Sequence, residues 1–426
     1  MPIIFILFLF LLLIVLRVPI AFSLGISSLV FLVSKNEILL PVAQRMTAAG
    51  DSFPLLAIPF FVLAGKLINE SGITERIFRF ALCLVGHIRG GLAHVNVINS
   101  MIFAGMSGAA AADVAGPGAI EIKAMVDNGY DVDFSAGLTA ASSTIAPIIP
   151  PSIAMVVYGV LASTSVGALF LGGIIPGIIM GIFMMIYSYI VSVKRNYPRY
   201  PRASFKEFLI SLRDSFLGLM APVILLGGIG LGIFTPTEAA AVVVLYSLFL
   251  GLIVYRGLKL AMLPRILLET VEMTGVITFV VTTATLFGWI LTREQVPQLF
   301  AQFITSFSSN VYVVLALINI LVLVMGCFLD GISILVITVP ILLPVIGVFN
   351  IDRVHFGVML VLNTVIGLIT PPVGVVLYAT VEVAKISFER VVRATLPFLY
   401  PLIASLMVAT YFPWVILFIP RLLGFG

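Results

Sequence analysis

Long apolar runs without a charged residue recur along the whole chain, and no other feature limits its fold so strongly. They cover residues 2–16, 55–64, 145–193, 311–328 and 354–381. A helix crosses the hydrocarbon core of a bilayer with about 20 apolar residues, so roughly ten to fourteen membrane segments fit, some of them short or broken. Backbone in lipid must satisfy its own hydrogen bonds, and these runs lack the alternation of a barrel strand, so the segments are helices. Composition supports this: 61% of residues are hydrophobic and 10% charged, against about 25% charged in soluble domains. The expected fold is an all-α polytopic membrane protein.

The first run has no basic segment before it, because Arg17 follows it. It reads as a retained helix rather than a signal peptide. Cys83 and Cys327 sit in separate apolar runs and read as small buried hydrophobes. His87, His94 and His355 have no metal-ligand spacing. The net charge of +4 is no nucleic-acid signal. Neither G-x-x-x-x-G-K-[ST] nor H-E-x-x-H occurs, and no catalytic grouping is visible, so the chain is not expected to be an enzyme. Transport driven by ATP would need another subunit.

Lys194, Arg195, Arg199, Arg202, Lys206 and Arg213 cluster mid-chain, with Pro198 and Pro201 among them. Residues 194–215 are therefore expected to be a basic linker, cytoplasmic by the positive-inside rule. The linker separates two halves, 1–193 and 216–426, that resemble each other. Ile149-Pro150-Pro151-Ser152 in one is answered by Thr370-Pro371-Pro372-Val373 in the other. A glycine precedes each pair at the same distance: 150 − 105 = 45 and 371 − 326 = 45. This ordered series predicts an internal repeat. Sparse terminal charges leave a parallel or an inverted arrangement open.

A Pro-Pro pair inside an apolar run removes backbone donors and breaks a helix. In lipid the freed carbonyls need new partners, and a bound cation suits them. Small polar residues precede both pairs: Thr139, Ser142, Ser143 and Thr144 in one half, Asn363, Thr364 and Thr370 in the other. Hydroxyls, amides and bare carbonyls are hard oxygen ligands of the kind a sodium ion prefers. Each Ser or Thr alone can instead bond back to its own helix. The spacing predicts a broken helix near 134–164 and another near 354–385.

Tiny residues around Gly105, Ser107 and Gly108, and again around Gly326 and Gly331, predict re-entrant hairpins near 92–122 and 311–349, the alternative being long tilted helices with packing glycines. Asp330 interrupts an apolar stretch and is expected to be an intramembrane carboxylate with a functional role. Asp113, its counterpart, reads either as functional or as a cap at a water-exposed edge. Thr235 and Glu238 read as a capping box. Charged segments around Glu75 and Arg265 read as interfacial amphipathic helices or as loop ends.

These stretches resemble the large membrane subunit of TRAP (tripartite ATP-independent periplasmic) transporters essentially end to end. The most specific are Phe53-Pro54-Leu55-Leu56-Ala57-Ile58-Pro59-Phe60-Phe61, Gly105-Met106-Ser107-Gly108, Pro150-Pro151-Ser152, Phe234-Thr235-Pro236-Thr237-Glu238 and Thr370-Pro371-Pro372. The resemblance implies two inverted repeats, an elevator-type scaffold plus transport domain, and a multi-pass protein of the bacterial inner membrane. It implies sodium (Na+) as the co-transported ion, with no organic cofactor. It also implies two protein partners: a four-helix small membrane subunit on a separate chain, and a periplasmic substrate-binding protein that delivers an organic acid, sialic acid or a C4-dicarboxylate. Carried onto this chain, the implied sodium positions are Gly105, Ser107, Ser143 and Pro147 in one half and Gly326, Gly367 and Thr370 in the other. The implied substrate contacts are Ser107, Ser152 and Asp330. The alternative is a stand-alone sodium/dicarboxylate symporter of related architecture.

Overall fold

The computed structural model describes residues 3–425, apart from the side chains of Ile4 and Ser107. Among the described residues all regular structure is helical. Seven of the described helices are long and apolar enough to cross a membrane. The pair Val296–Phe307 and Val311–Gly326 is apolar enough to join them but is bent by 120° at its junction, as in a broken span or a re-entrant loop. The remaining apolar helices are shorter, and three of the six, Ile153–Ala162, Arg353–Gly367 and Val375–Ala384, flank the chain breaks that the Pro-Pro spacing predicts. The chain is a multi-pass membrane protein.

The first hairpin descends through Gly91–Ser107, turns at Gly108 and Ala109, and returns through Ala110–Asp113, a π-turn at Val114–Gly118 that holds Pro117, and Ala119–Asp127. Gly108 takes φ +62°, and a Cβ there would stand 2.5 Å from the Pro151 carbonyl oxygen. The hairpin tip thus rests on the first Pro-Pro segment, with no room for a side chain. The first broken helix runs through Val132–Ser142 and resumes at Ile153–Ala162. In the second half the hairpin is Val311–Gly326 and Gly331–Val348, and the broken helix is Arg353–Gly367 and Val375–Ala384. Both Pro-Pro bonds, Pro150-Pro151 and Pro371-Pro372, are cis.

The two halves brace each other. Tyr158 is fully buried and donates its hydroxyl to the Arg353 carbonyl at 2.8 Å. Arg353 in turn donates to the Ala162 carbonyl at 3.3 Å. At the opposite end Arg390 pairs with Asp133 at 2.7 Å. Around this unit lie Ile20–Ser34, Ala57–Glu70, Pro236–Phe249 and the 31-residue helix Leu263–Arg293, whose packing against one another forms a second wall.

Two local expectations are modified. The basic segment is non-helical only as far as Ser204, because Ser204 and Glu207 form a capping box that starts the helix Phe205–Gly230. The charged residues near Arg265 open the long helix Leu263–Arg293 rather than a separate interfacial one. Those near Glu75 do lie on their own amphipathic helix, Ile73–Val85, which buries Ile73, Ile77 and Ala81. The capping box of Thr235 and Glu238 is present, and Glu238 receives the Thr235 backbone N–H at 2.8 Å.

Candidate substrate and ion site

Ser142 ends the first part of one broken helix, and Ser143–Ile145 tighten into a 3-10 turn. Tightening shifts the hydroxyls onto local carbonyls: Ser143 donates to Ala140 at 2.9 Å and Thr144 to Ala141 at 2.6 Å. Ser152 restarts the helix as its N-cap, accepting from the Met155 N–H at 3.2 Å and donating to the Pro147 carbonyl at 2.6 Å. Pro147, Ser143 and Ser152 are all buried. Gly105 lies one turn before the hairpin tip, where a Cβ would meet Pro222 at 2.7 Å and the Pro150 carbonyl at 3.7 Å. The structure therefore brings Gly105, Ser143, Pro147 and Ser152 to one break. Ser107 closes the helix beside them, and its side chain lies outside the described residues.

The second break is joined to its hairpin more tightly. Gly326 and Gly367 meet backbone to backbone, and a Cβ on Gly326 would stand 2.7 Å from the Gly367 Cα. The Val373 N–H donates to the Cys327 carbonyl at 3.1 Å, tying the cis-proline segment to the hairpin tip. Thr370 bonds back to the Ile366 carbonyl at 2.8 Å. Behind this break Asn363 donates to the Asn319 carbonyl at 3.0 Å and to its side-chain oxygen at 2.8 Å, and Asn319 donates to Thr410 at 2.8 Å.

The two aspartates exchange the environments expected for them. Asp330 is exposed and caps Gly331–Val348, accepting from the Ser333 N–H at 3.1 Å and from the Ser333 hydroxyl. It is a helix-capping carboxylate at the hairpin turn, outside the packed protein interior. Asp113 is the buried one, at 2% exposure, and accepts from Ser100 at 2.9 Å. The reason is local: Gly331 follows Asp330 at a helix start, whereas Asp113 sits within the returning arm and points into the hairpin.

Two cavities lie along the boundary between the hairpin unit and the surrounding helices. One, of about 340 Å³, is lined by Lys66, Asn69, Ala109, Ala112, Ile153 and Glu269, so it adjoins the first hairpin tip and the restart of the first broken helix. Its only lysine, Lys66, is 2.6 Å from Glu269. The other, of about 1040 Å³, lies toward the Ser163 end and is lined by Arg45, Ser52, Thr285, Trp289, Pro340 and Pro344. Arg45 stacks 4.9 Å over the Trp289 ring there. Asp330 lines neither cavity. The arrangement offers carbonyls and hydroxyls at two breaks, with a cation close to one of them.

The profile of the tripartite ATP-independent periplasmic transporter, DctM component, matches residues 7–415 of this chain. The chain belongs to the DctM family. This DctM-family chain is 49% identical over 410 residues to the sialic acid TRAP transporter large permease protein SiaM of Vibrio cholerae, covering 96% of both. It is 42% identical to the C4-dicarboxylate TRAP transporter large permease protein DctM of Pseudomonas aeruginosa, covering 94% of both. It is also 42% identical to the sialic acid TRAP transporter permease protein SiaT of Haemophilus influenzae, of which it covers 66%. Among solved structures, the Alcanivorax borkumensis YdaH transporter superposes with TM-score 0.62 at 13% identity, over 88% of this chain and 87% of that one. That likeness is one of fold.

Sequence reasoning about this DctM-family chain overlooked Lys66, Asn69 and Glu269. Lys66 was detectable as a lone charge inside an apolar helix, Ala57–Glu70. Glu269 was not, because its partner lies 203 positions away.

Proposed function

We propose that this chain is the large membrane subunit of a sodium-coupled importer of an organic acid, in the cell inner membrane. The observation that carries the proposal is the meeting of each hairpin with its own Pro-Pro break, most directly at Gly326 and Gly367. Such meetings gather backbone carbonyls and small hydroxyls where a dehydrated sodium ion needs oxygen ligands. In this reading Gly105, Ser107, Ser143 and Pro147 bind one sodium, and Gly326, Gly367 and Thr370 another. Substrate is held between the breaks by Ser107 and Ser152, with Asp330 receiving hydroxyl or ammonium donors. The 340 Å³ cavity adds Lys66, a cation suited to a carboxylate.

The two halves act as inverted repeats, and the hairpins with the broken helices move as one body against the outer wall in an elevator-type cycle. The end carrying Arg195 and Arg199 faces the cytoplasm. Sialic acid and C4-dicarboxylates are the substrate classes named for the relatives above. Specificity rests mainly with a periplasmic binding protein. A small membrane subunit completes the assembly as a separate chain, and SiaT, of which this chain covers 66%, is long enough to carry such a subunit in the same polypeptide.

The test is uptake by proteoliposomes that hold this chain with its small subunit, supplied with the loaded binding protein. Uptake of the acid is expected to require an inward sodium gradient. Equal uptake with sodium replaced by potassium on both sides would refute coupling, and uptake without the binding protein would favour a stand-alone symporter.

A further inference from the structure

The first hairpin contains two buried carboxylic acids that the transport reading does not use. Asp113 is 2% exposed and Glu121 is 1% exposed, on the two sides of the π-turn in the returning arm. Asn99, on the descending arm and fully buried, gives its amide N–H to Glu121 Oε1. Ser100 gives its hydroxyl to Asp113 Oδ2 at 2.9 Å. Two polar oxygens inside this cluster have no hydrogen-bond donor: Asn99 Oδ1 and Asp113 Oδ1.

Among the described residues no positive charge neutralises the pair. The titratable groups on the neighbouring elements are otherwise engaged or turned away. Lys123 and Asp127 on the returning arm are exposed, as is Glu382 on Val375–Ala384. His94 on the descending arm faces the Tyr189 ring at 6.3 Å. Asp133 is paired with Arg390, Lys66 with Glu269 and Glu70 with Arg265. Two ionised carboxylates enclosed together without a cation repel each other and lose their hydration, so one of them takes a proton.

Hydrogen bonding says which. A neutral carboxylic acid facing a primary amide closes a ring of two hydrogen bonds: its carbonyl accepts the amide N–H, and its O–H donates to the amide oxygen. Glu121 already accepts from Asn99 Nδ2, and the Asn99 oxygen has no donor. A neutral Glu121 has an O–H to offer as that donor, whereas an ionised Glu121 has none.

We propose that Glu121 is a proton-binding site inside the first hairpin, neutral in the resting protein and pinned to Asn99 by its own O–H. Loss of that proton puts a second negative charge beside Asp113 and removes one of the bonds that join the two arms. The hairpin therefore loosens, and uptake falls, as pH rises through the titration of Glu121. Deprotonation releases one proton and changes no other bond.

Infrared difference spectroscopy on the full chain in lipid tests this. The wild type is expected to show a carboxylic-acid C=O band at neutral pH that disappears in alkali and is missing in Glu121→Gln. Asp113→Asn removes the repelling charge, so the band should disappear at lower pH in that variant. Glu121→Gln mimics the neutral acid in shape and charge, so it should assemble and lose the alkaline fall in uptake. A wild-type spectrum without the band at neutral pH would overturn the proposal, as would its removal by sodium at constant pH. So would an alkaline fall in uptake that persists in Glu121→Gln, or failure of that variant to assemble.

Discussion

Gly326 and Gly367 touch through their backbones: a Cβ added to Gly367 would stand 2.6 Å from the Gly326 Cα, and one added to Gly326 would stand 2.7 Å from the Gly367 Cα. Neither obstacle is a flexible side chain, so neither can yield cheaply. Gly326→Ala or Gly367→Ala is expected to destabilise the protein by about 1–3 kcal/mol through overpacking and to abolish sodium-dependent uptake by separating the second hairpin from its break. Gly347 has open space around it, so Gly347→Ala serves as the control and leaves both unchanged. Thermal unfolding in detergent and proteoliposome uptake read the two effects.

Lys66 is the second point of attack. Its ammonium lies in the cavity beside the first hairpin tip and is shared with Glu269. A charge-assisted hydrogen bond contributes about 1.5–3 kcal/mol, so Lys66→Ala is expected to weaken half-saturation for the organic acid by about 10- to 150-fold. Lys66→Arg keeps the charge and should lose much less. If Lys66 merely holds two helices together, Lys66→Ala and Glu269→Ala will lower stability equally and leave half-saturation unchanged.

Asn363 carries the polar brace behind the second break. Asn363→Ala leaves the Asn319 side-chain oxygen without its donor and takes one donor from the Asn319 carbonyl, which keeps its own helix bond. Each buried unsatisfied group costs about 1–3 kcal/mol. The expected outcome is a large loss of thermal stability, while Asn363→Asp at low pH, where its acid is neutral and one O–H remains, recovers part of it.

At the basic end of the molecule Tyr197 donates its hydroxyl to Asp131 at 2.6 Å, and Arg195 pairs with the same oxygen at 2.7 Å. These contacts hold the Asp131 carboxyl below the usual carboxylate range, the Tyr197 bond first. Burial raises the Tyr197 phenol to about 12. For the depressed acid, the stabilisation is present above about pH 4 and fades as pH falls through the folded value. For the raised phenol, it is present below about pH 10 and is lost between there and about 12. Tyr197→Phe should shrink both the alkaline and the acid change, as read by unfolding temperature against pH.

Much of this was legible in the sequence because proline and glycine act locally. The Pro-Pro pairs and the glycines 45 positions before them mark breaks wherever the rest of the chain goes, and helices do stop and restart around them. The hydroxyls of Ser143 and Thr370 were legible as residues but not as ligands, since both bond back to their own helices here. Burial was not legible. Asp113 and Asp330 look alike in a one-dimensional string, and which of them is enclosed depends on a returning arm that carries Glu121. Lys66 and Glu269 meet only in three dimensions.

The bond from Tyr158 to the Arg353 carbonyl spans 195 positions. A ribosome adding about 5–20 residues per second delivers the partner roughly 10–40 seconds after the tyrosine. For that interval Ile153–Ala162 has no mate for its buried ring, and it is too short to rest in the bilayer as an ordinary spanning segment. The early half of the chain must therefore wait, shielded by the insertion machinery or parked at the lipid surface, until the late half arrives to close over it. A translational pause placed between the two halves is therefore expected to lengthen the period in which the nascent chain is open to degradation.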